Sequence, residues 1–301
     1  MIVGEAIDVR AIPRHEVFLL LAFASACTRE QLIARSTEPL AASIEQAFVA
    51  LVQRRIEGEP IAYLLGRREF YGRDFAVDSR VLIPRPETEL LVDLALEWLA
   101  QRTTTASGRP LQVLDLGTGS GAIGITLALE RPSIAVTATD VSQAALDIAA
   151  HNARGLAATV RLVETNWLTA FDSIEGRPEH FDLIVSNPPY IAADDPHLFE
   201  GDLRREPRSA LTDGADGLQA IRHIVAESTR HLRVNSCLML EHGYDQAAQV
   251  RELLSASGFT EITSSRDIAG IERVTKGTNS SAQSDFESDM QSGVLIKGSK
   301  G

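Results

Sequence analysis

The chain has 301 residues, 44% hydrophobic and 23% charged, proportions of a globular protein with room for one large domain and a smaller one. Its net charge of −12 argues against affinity gained by coating nucleic-acid phosphates. Two cysteines, Cys27 and Cys237, exclude a disulfide framework or a thiolate metal site; no signal peptide or membrane span is expected, so the predicted location is cytoplasmic.

From Pro13 to about Gly58 the pattern is helical. Val17, Leu20, Leu21 and Ala24 mark one helix, and Ile44, Ala47, Phe48, Leu51, Val52 and Ile56 another, each at three-and-four spacing. Between Glu59 and Glu89, the apolar Phe70, Phe75, Val77, Val81 and Ile83 around Gly72-Arg73 predict a hairpin leading out of the helices. Pro84 and Pro86 stiffen the connection into a helix through Leu90, Leu91, Leu94 and Leu99. Arg85, Glu87 and Glu89 read as helix capping and a solvated linker; the sharper alternative puts Arg85 at the rim of a cleft. Thr103 to Gly108 reads as a polar linker.

The second domain opens with a strand, Leu111–Leu116, a glycine turn, Gly117-Thr118-Gly119-Ser120-Gly121, and a helix from Ala122 to Glu130. Strand, glycine turn and helix let bare backbone approach a ligand at a helix N-terminus. A further strand, Ile134–Thr139, ends at Asp140, roughly 20 residues beyond the turn, the offset of a carboxylate that holds a ribose diol. A third strand, Ala158–Val163, precedes Thr165-Asn166-Trp167. Trp167 can stack on an adenine or fill the core.

The fourth strand, beginning at Phe181, ends in Asn187-Pro188-Pro189-Tyr190. Two prolines remove two N–H donors, so the turn offers mainly acceptors, the Asn187 side-chain oxygen and the Pro188 carbonyl. A planar NH2 group matches two acceptors, with Tyr190 as a stacking wall; an ordinary proline-rich turn is the plainer reading. The glycine turn, Asp140, Trp167 and Asn187 all fall at strand carboxyl ends, where ligands sit in open α/β sheets. Ala192–Gly217 is a long polar loop, functional or disordered. Beyond it come a helix (Leu218–Leu232), a strand (Ser236–Glu241), a helix (Asp245–Ala256), a strand from Gly258-Phe259 and one at Ile271–Thr275. His242 reads as scaffold rather than a general base, and no metal constellation is recognisable. From Gly277 the composition is that of a disordered tail.

DLGTGSG, with Asp115 before the turn, resembles the first motif of S-adenosylmethionine-dependent methyltransferases. EPIAYLLGRREFYG, VLIPRPETELLVD, FDLIVSNPPYI, GDLRREPRSAL, DGLQAIRHI and LEHGYDQ extend the likeness over about residues 59–277. The chain is identified as a member of the PrmC/HemK family of release factor glutamine methyltransferases. It departs from the pattern at Thr165-Asn166-Trp167, where the family has Gly-Asp-Trp, and at Leu232-Arg-Val-Asn-Ser, where it has Leu-Arg-Pro-Gly-Gly.

The resemblance implies a Rossmann-like α/β domain with a mostly parallel seven-stranded sheet at 109–277. Residues 1–83 would be a helical substrate-docking domain with a hairpin connector, 84–108 a linker and helix, and 278–301 a tail. S-adenosyl-L-methionine would be held by Gly117, Thr118, Gly119, Ser120, Gly121, Asp140, Trp167 and Asn187. The implied substrate is the amide of the glutamine in a release factor's Gly-Gly-Gln loop. Asn187, Pro188, Pro189 and Tyr190 would bind it, with Asn187, Pro188 and Tyr190 catalytic. No membrane or direct nucleic-acid partner is expected. Alternatives are the same chemistry on a ribosomal-protein glutamine, methylation of a DNA adenine amine, and a non-catalytic binder of release factors.

Overall fold

The computed structural model describes residues 1–102, 108–172 and 178–280. Most of the linker expected at Thr103–Gly108, and the tail from 281, lie outside these residues. Five helices open the chain, α1 (Val3–Ile7), α2 (Arg14–Ser25), α3 (Arg29–Ala34), α4 (Ala42–Ile56) and α5 (Ile61–Leu65). Val17, Leu20, Leu21, Phe48, Leu51 and Val52 form their shared core, the stripes that the spacing predicts. Ile56, the last residue of the α4 stripe, is instead exposed.

Strands β1 (Arg67–Phe70) and β2 (Arg73–Ala76) form the hairpin. Tyr71 (φ 52°) and Gly72 (φ 73°) at its tip have the paired positive φ of a type I′ turn, whose twist suits flanking strands. Phe70 and Phe75 are buried edge-to-face, ring centroids 6.0 Å apart.

The larger domain comprises α6 (Glu89–Ala100), β3 (Gln112–Leu116), α7 (Ala122–Glu130), β4 (Ala135–Asp140), α8 (Gln143–Gly155), β5 (Val160–Glu164), β6 (Phe181–Ser186), α9 (Arg208–Leu211), α10 (Gln219–His231), β7 (Leu232–Glu241), α11 (Ala247–Ala256), β8 (Phe259–Arg266) and β9 (Glu272–Asn279). Its sheet is seven-stranded in the order β5-β4-β3-β6-β7-β9-β8. Pairings from β5 to β7 are parallel, and β9 is antiparallel to both its neighbours. The central strands are apolar on both faces because both are covered. Val113 and Val185 pack with Leu91 of α6 and Ile123 of α7; Leu114, Leu116 and Ile184 pack with Ile221 of α10 and Val250 of α11. Each such buried side chain stabilises the fold by about 1.5–3 kcal/mol.

Two ends differ from expectation. β7 begins at Leu232, not Ser236, and contains Asn235 at φ 62°, a left-handed conformation that asparagine tolerates in place of the family's glycine. β9 continues past Gly277 to Asn279, whose Nδ2 donates to the Leu232 carbonyl at 2.9 Å. Among the described residues no helix is long and apolar enough to cross a membrane.

The helical region is fastened to the larger domain at named points. Tyr63, whose Oη donates to the Val81 carbonyl at 2.7 Å, packs with Val81 in one cluster with Ala145 and Ile148 of α8. Arg55 grips Glu16 through two bonds, 2.7 and 2.8 Å, and reaches Asp202 at 2.8 Å. Asn152 of α8 brackets Ala76 of the hairpin, accepting from its N–H and donating to its carbonyl.

Candidate active site

Strand order reverses between β3 and β6, so a crevice opens at their carboxyl ends, and both sequence motifs converge there. Gly117, Gly119 and Gly121 all have positive φ (70°, 55° and 84°). At Gly121 a Cβ would also press on the Ile125 side chain, whose Cδ1 would lie 2.5 Å away, but it is the positive φ that calls for glycine. Below the turn Asp115 is fully buried, its Oδ2 accepting from Thr118 Oγ1 at 2.6 Å and from Gly124 N at 2.9 Å. Burial pushes its carboxyl up to about 6, against those two hydrogen bonds. Gly124 allows this approach, since a Cβ there would sit 3.0 Å from Asp115 Oδ2.

A cavity of about 370 Å³ lies over the turn, within the range of small-ligand sites. Gly117, Gly119, Asp140, Trp167, Asn187 and Pro189 line it. Asp140 Oδ2 accepts from Gly119 N and its Oδ1 from Ser142 N, both at 2.9 Å. Each oxygen keeps a lone pair for a ligand hydroxyl. Trp167 takes a positive φ (52°), places its ring beside Gly117, and borders the core on its other side. The basic residue on the wall, Arg80, is clamped to Asp78. A carboxylate, an indole face and bare glycine backbone, with the local guanidinium already paired, suit a nucleoside without a pyrophosphate. S-adenosyl-L-methionine fits that description.

A second cavity of about 580 Å³ adjoins the first, lined by Arg85, Glu87, Asn187, Pro188, Tyr190 and residues of the Ala192–Gly217 loop. Asn187 is on the wall of both. Its Nδ2 donates to Thr88 Oγ1 at 3.1 Å, which leaves Oδ1 as the end available to the cavities. Tyr190 Oη donates to Glu241 Oε1 at 3.2 Å. Burial and the Glu241 carboxylate hold the Tyr190 hydroxyl well above its ordinary value, so it remains a donor. Its carbonyl accepts from Gln246 Nε2 at 2.9 Å. Gly217 (φ 78°) crosses so close that a Cβ would lie 2.4 Å from that oxygen.

Gly117, Gly119, Asp140, Trp167, Asn187 and Pro189 therefore share the first cavity, and Asn187, Pro188 and Tyr190 the second. Thr118, Ser120 and Gly121 do not line either. Thr118 and Ser120 are buried; Thr118 bonds Asp115, and the Ser120 carbonyl accepts from Asn152. The capping-and-linker reading of Arg85 is corrected: it reaches the second cavity and pairs with Glu206, whose carboxylate also accepts from Ile83 N at 3.0 Å. His242 is scaffold, its ring nitrogens engaged by the Gly243 carbonyl at 2.9 Å and Thr275 Oγ1 at 2.8 Å. Sequence reasoning missed the roof of the first cavity (Val81, Leu82, Pro207, Ser209 and Ala210) and the Thr88 and Glu241 partners behind the second. For Glu241 a signal existed: it is an acid at the end of a central strand, like Asp140.

Fold and site together define a Rossmann-like methyltransferase domain joined to a helical module. The Methyltransferase small domain family model matches residues 89–214, and the PrmC N-terminal domain model residues 8–66. A release factor glutamine methyltransferase of Burkholderia pseudomallei is 50% identical over 265 residues, covering 86% of this chain and 90% of its own. The protein of that name in Neisseria gonorrhoeae is 46% identical over 277 residues, covering 92% and 97%. The chain belongs to the release factor glutamine methyltransferase family. The solved hMettl16 catalytic domain, in complex with MAT2A 3'UTR hairpin 6, shares the fold, with a TM-score of 0.52 at 17% identity over 77% of this chain and 82% of that one.

Proposed function

We propose that this enzyme transfers a methyl group from S-adenosyl-L-methionine to the side-chain amide nitrogen of the Gly-Gly-Gln glutamine of a peptide-chain release factor. Asn187 carries the reading, because one residue lines both the cavity over the glycine turn and its neighbour. Family membership supports the substrate class.

Asp140 would hold the ribose hydroxyls, Trp167 would face the adenine, and the Gly117–Gly119 backbone would lie along the rest of the cofactor. When bound, that cofactor supplies a methyl group made electrophilic by a sulfonium. An amide nitrogen is a poor nucleophile because its lone pair is delocalised into the carbonyl. Asn187 Oδ1 and the Pro188 carbonyl accept its two hydrogens, favour a lone pair directed at the methyl, and stabilise the positive charge growing on nitrogen; the new N–C bond would replace the S–C bond, and one of those hydrogens would leave as a proton to water. Tyr190 walls the plane of the amide. Much of the acceleration then comes from positioning, which is worth several kcal/mol when reacting atoms are held in line. The helical domain docks the body of the factor, and acting on a translation factor places the enzyme in the cytoplasm.

The test is transfer of labelled methyl from the cofactor to purified release factor, beside a ribosomal-protein mixture. Label in the factor supports the reading. Label in the ribosomal proteins alone would keep the chemistry and overturn the partner.

A further inference from the structure

Arg85 stands on the wall of the second cavity and not of the first, and the proposed reaction leaves it without a task. Pro84 and Pro86 flank it, and the chain there is extended (φ −101°, ψ 142°). Each proline ring locks its own φ and restricts the residue before it, so the mount is stiff. The guanidinium pairs with Glu206, whose side chain is fully buried. One Glu206 oxygen takes Arg85 and the other accepts from Ile83 N at 3.0 Å. The head of Arg85 is therefore held in place before a substrate arrives.

A guanidinium carries five N–H donors, and Glu206 is the only hydrogen-bond partner of this one among the described residues. With 26% of its side chain exposed, Arg85 keeps donors for a ligand in the cavity. Other side-chain donors on that wall already have partners: Asn187 Nδ2 has Thr88, Tyr190 Oη has Glu241 and His197 Nδ1 has Asp195.

A peptide substrate calls for such a group. The Asn-Pro-Pro-Tyr turn supplies acceptors, which suit N–H groups, but the peptide also brings carbonyl oxygens whose desolvation weakens binding unless they are paired. The oxygen of the reacting amide is a poor target, because a donor there deepens the delocalisation that makes the nitrogen unreactive. Main-chain carbonyls suit Arg85 better. It does not line the cofactor cavity, so it meets the peptide away from the reacting nitrogen, and glycines carry no Cβ to keep a planar fork off their backbone.

Resting on the reading that the substrate is a Gly-Gly-Gln glutamine, we propose that Arg85 is a specificity-determining residue that donates to a main-chain carbonyl of the glycine pair. Glu206 is the positioning residue that aims it. The enzyme then reads the segment before the glutamine as well as the glutamine itself.

The test measures KM with intact release factor, with a short Gly-Gly-Gln peptide, and with two analogues in which an (E)-alkene replaces the peptide bond after the first or the second glycine. Arg85→Lys keeps a cation beside Glu206 but loses the fork. It should raise KM about 10- to 100-fold, the scale of hydrogen bonds to a charged group, and by similar factors for factor and peptide, with cofactor Kd within about twofold. Arg85→Met combined with Glu206→Gln, which strands no buried charge, should do the same. With the wild type, one alkene analogue should have a KM about tenfold above the parent peptide; with Arg85→Lys the two should agree within about threefold, because alkene and variant remove the two halves of one contact. A merely structural role would leave the alkene penalty equal in both proteins. That equality, or a wild-type KM for the factor in both variants, would overturn the proposal while the substrate reading stands. A wild type that methylates neither factor nor peptide would overturn both.

Discussion

Gly119 N–H donates to Asp140 Oδ2 at 2.9 Å, so the glycine turn after β3 and the acid ending β4 form one rigid unit. A second backbone donor, Ser142 N, takes the other oxygen. The carboxylate is thereby oriented before any ligand arrives. Asp140→Ala should weaken cofactor binding by about 1–3 kcal/mol, the scale of hydrogen bonds to a charged group, measured by calorimetry. Unchanged affinity would move the ribose site elsewhere.

Asn187 borders both cavities and follows Ser186, the β6 partner of Leu116, so it lies beside the glycine turn rather than within it. Asn187→Ala should reduce kcat about 10²- to 10³-fold, as when one preorganised polar group is removed, and leave cofactor Kd nearly unchanged. Single-turnover rates beside calorimetry separate the two effects. A large loss of cofactor affinity would make the residue chiefly a cofactor ligand and remove its part in holding the substrate amide.

Asp115 gives a pH signature in stability. Its carboxyl titrates at about 6 in the folded protein because burial disfavours the charge, well above an unfolded aspartate. The native state therefore binds the proton more tightly, and the stability this contributes is complete below about pH 4 and lost as pH rises through 6. Denaturant melts of the wild type against Asp115→Asn should show the variant gaining about 2–3 kcal/mol relative to the wild type between pH 4 and 7. A difference independent of pH would mean the carboxyl is not desolvated as described.

Arg55 ties the helical module to the loop that walls the second cavity, through Glu16 and Asp202. Glu16 is largely buried, so Arg55→Met strands it and should cost up to about 3–5 kcal/mol, the range for a broken buried pair, read as a lower Tm. The loosened loop should raise KM for intact release factor several-fold more than KM for a short glutamine peptide. Equal effects on both substrates would remove the docking role from the helical module.

Features local in sequence were legible. The glycine turn, Asp140 and Asn-Pro-Pro-Tyr each follow a strand within a few residues, and α/β topology brings strand ends together whatever the details. The rest depends on partners distant along the chain: Thr88 lies 99 residues from Asn187 and Glu241 lies 51 from Tyr190. No periodicity links such residues. Thr118 and Ser120 show that polar side chains of a glycine turn can also be held within it. Part of the turn's polarity wires it to its own strand, as the Thr118–Asp115 bond does. Arg85 was underread because its partner, Glu206, comes from a loop whose path the sequence does not dictate.

Tandem mass spectrometry of a release factor after incubation with the enzyme and S-adenosyl-L-methionine tests the central claim most directly. A single added methyl, with fragment ions placing it on the side chain of the Gly-Gly-Gln glutamine and absent with Asn187→Ala, is the predicted result. A methyl on another residue, or an unmodified factor under conditions where the cofactor binds, would contradict the account of Asn187 as the holder of a glutamine amide.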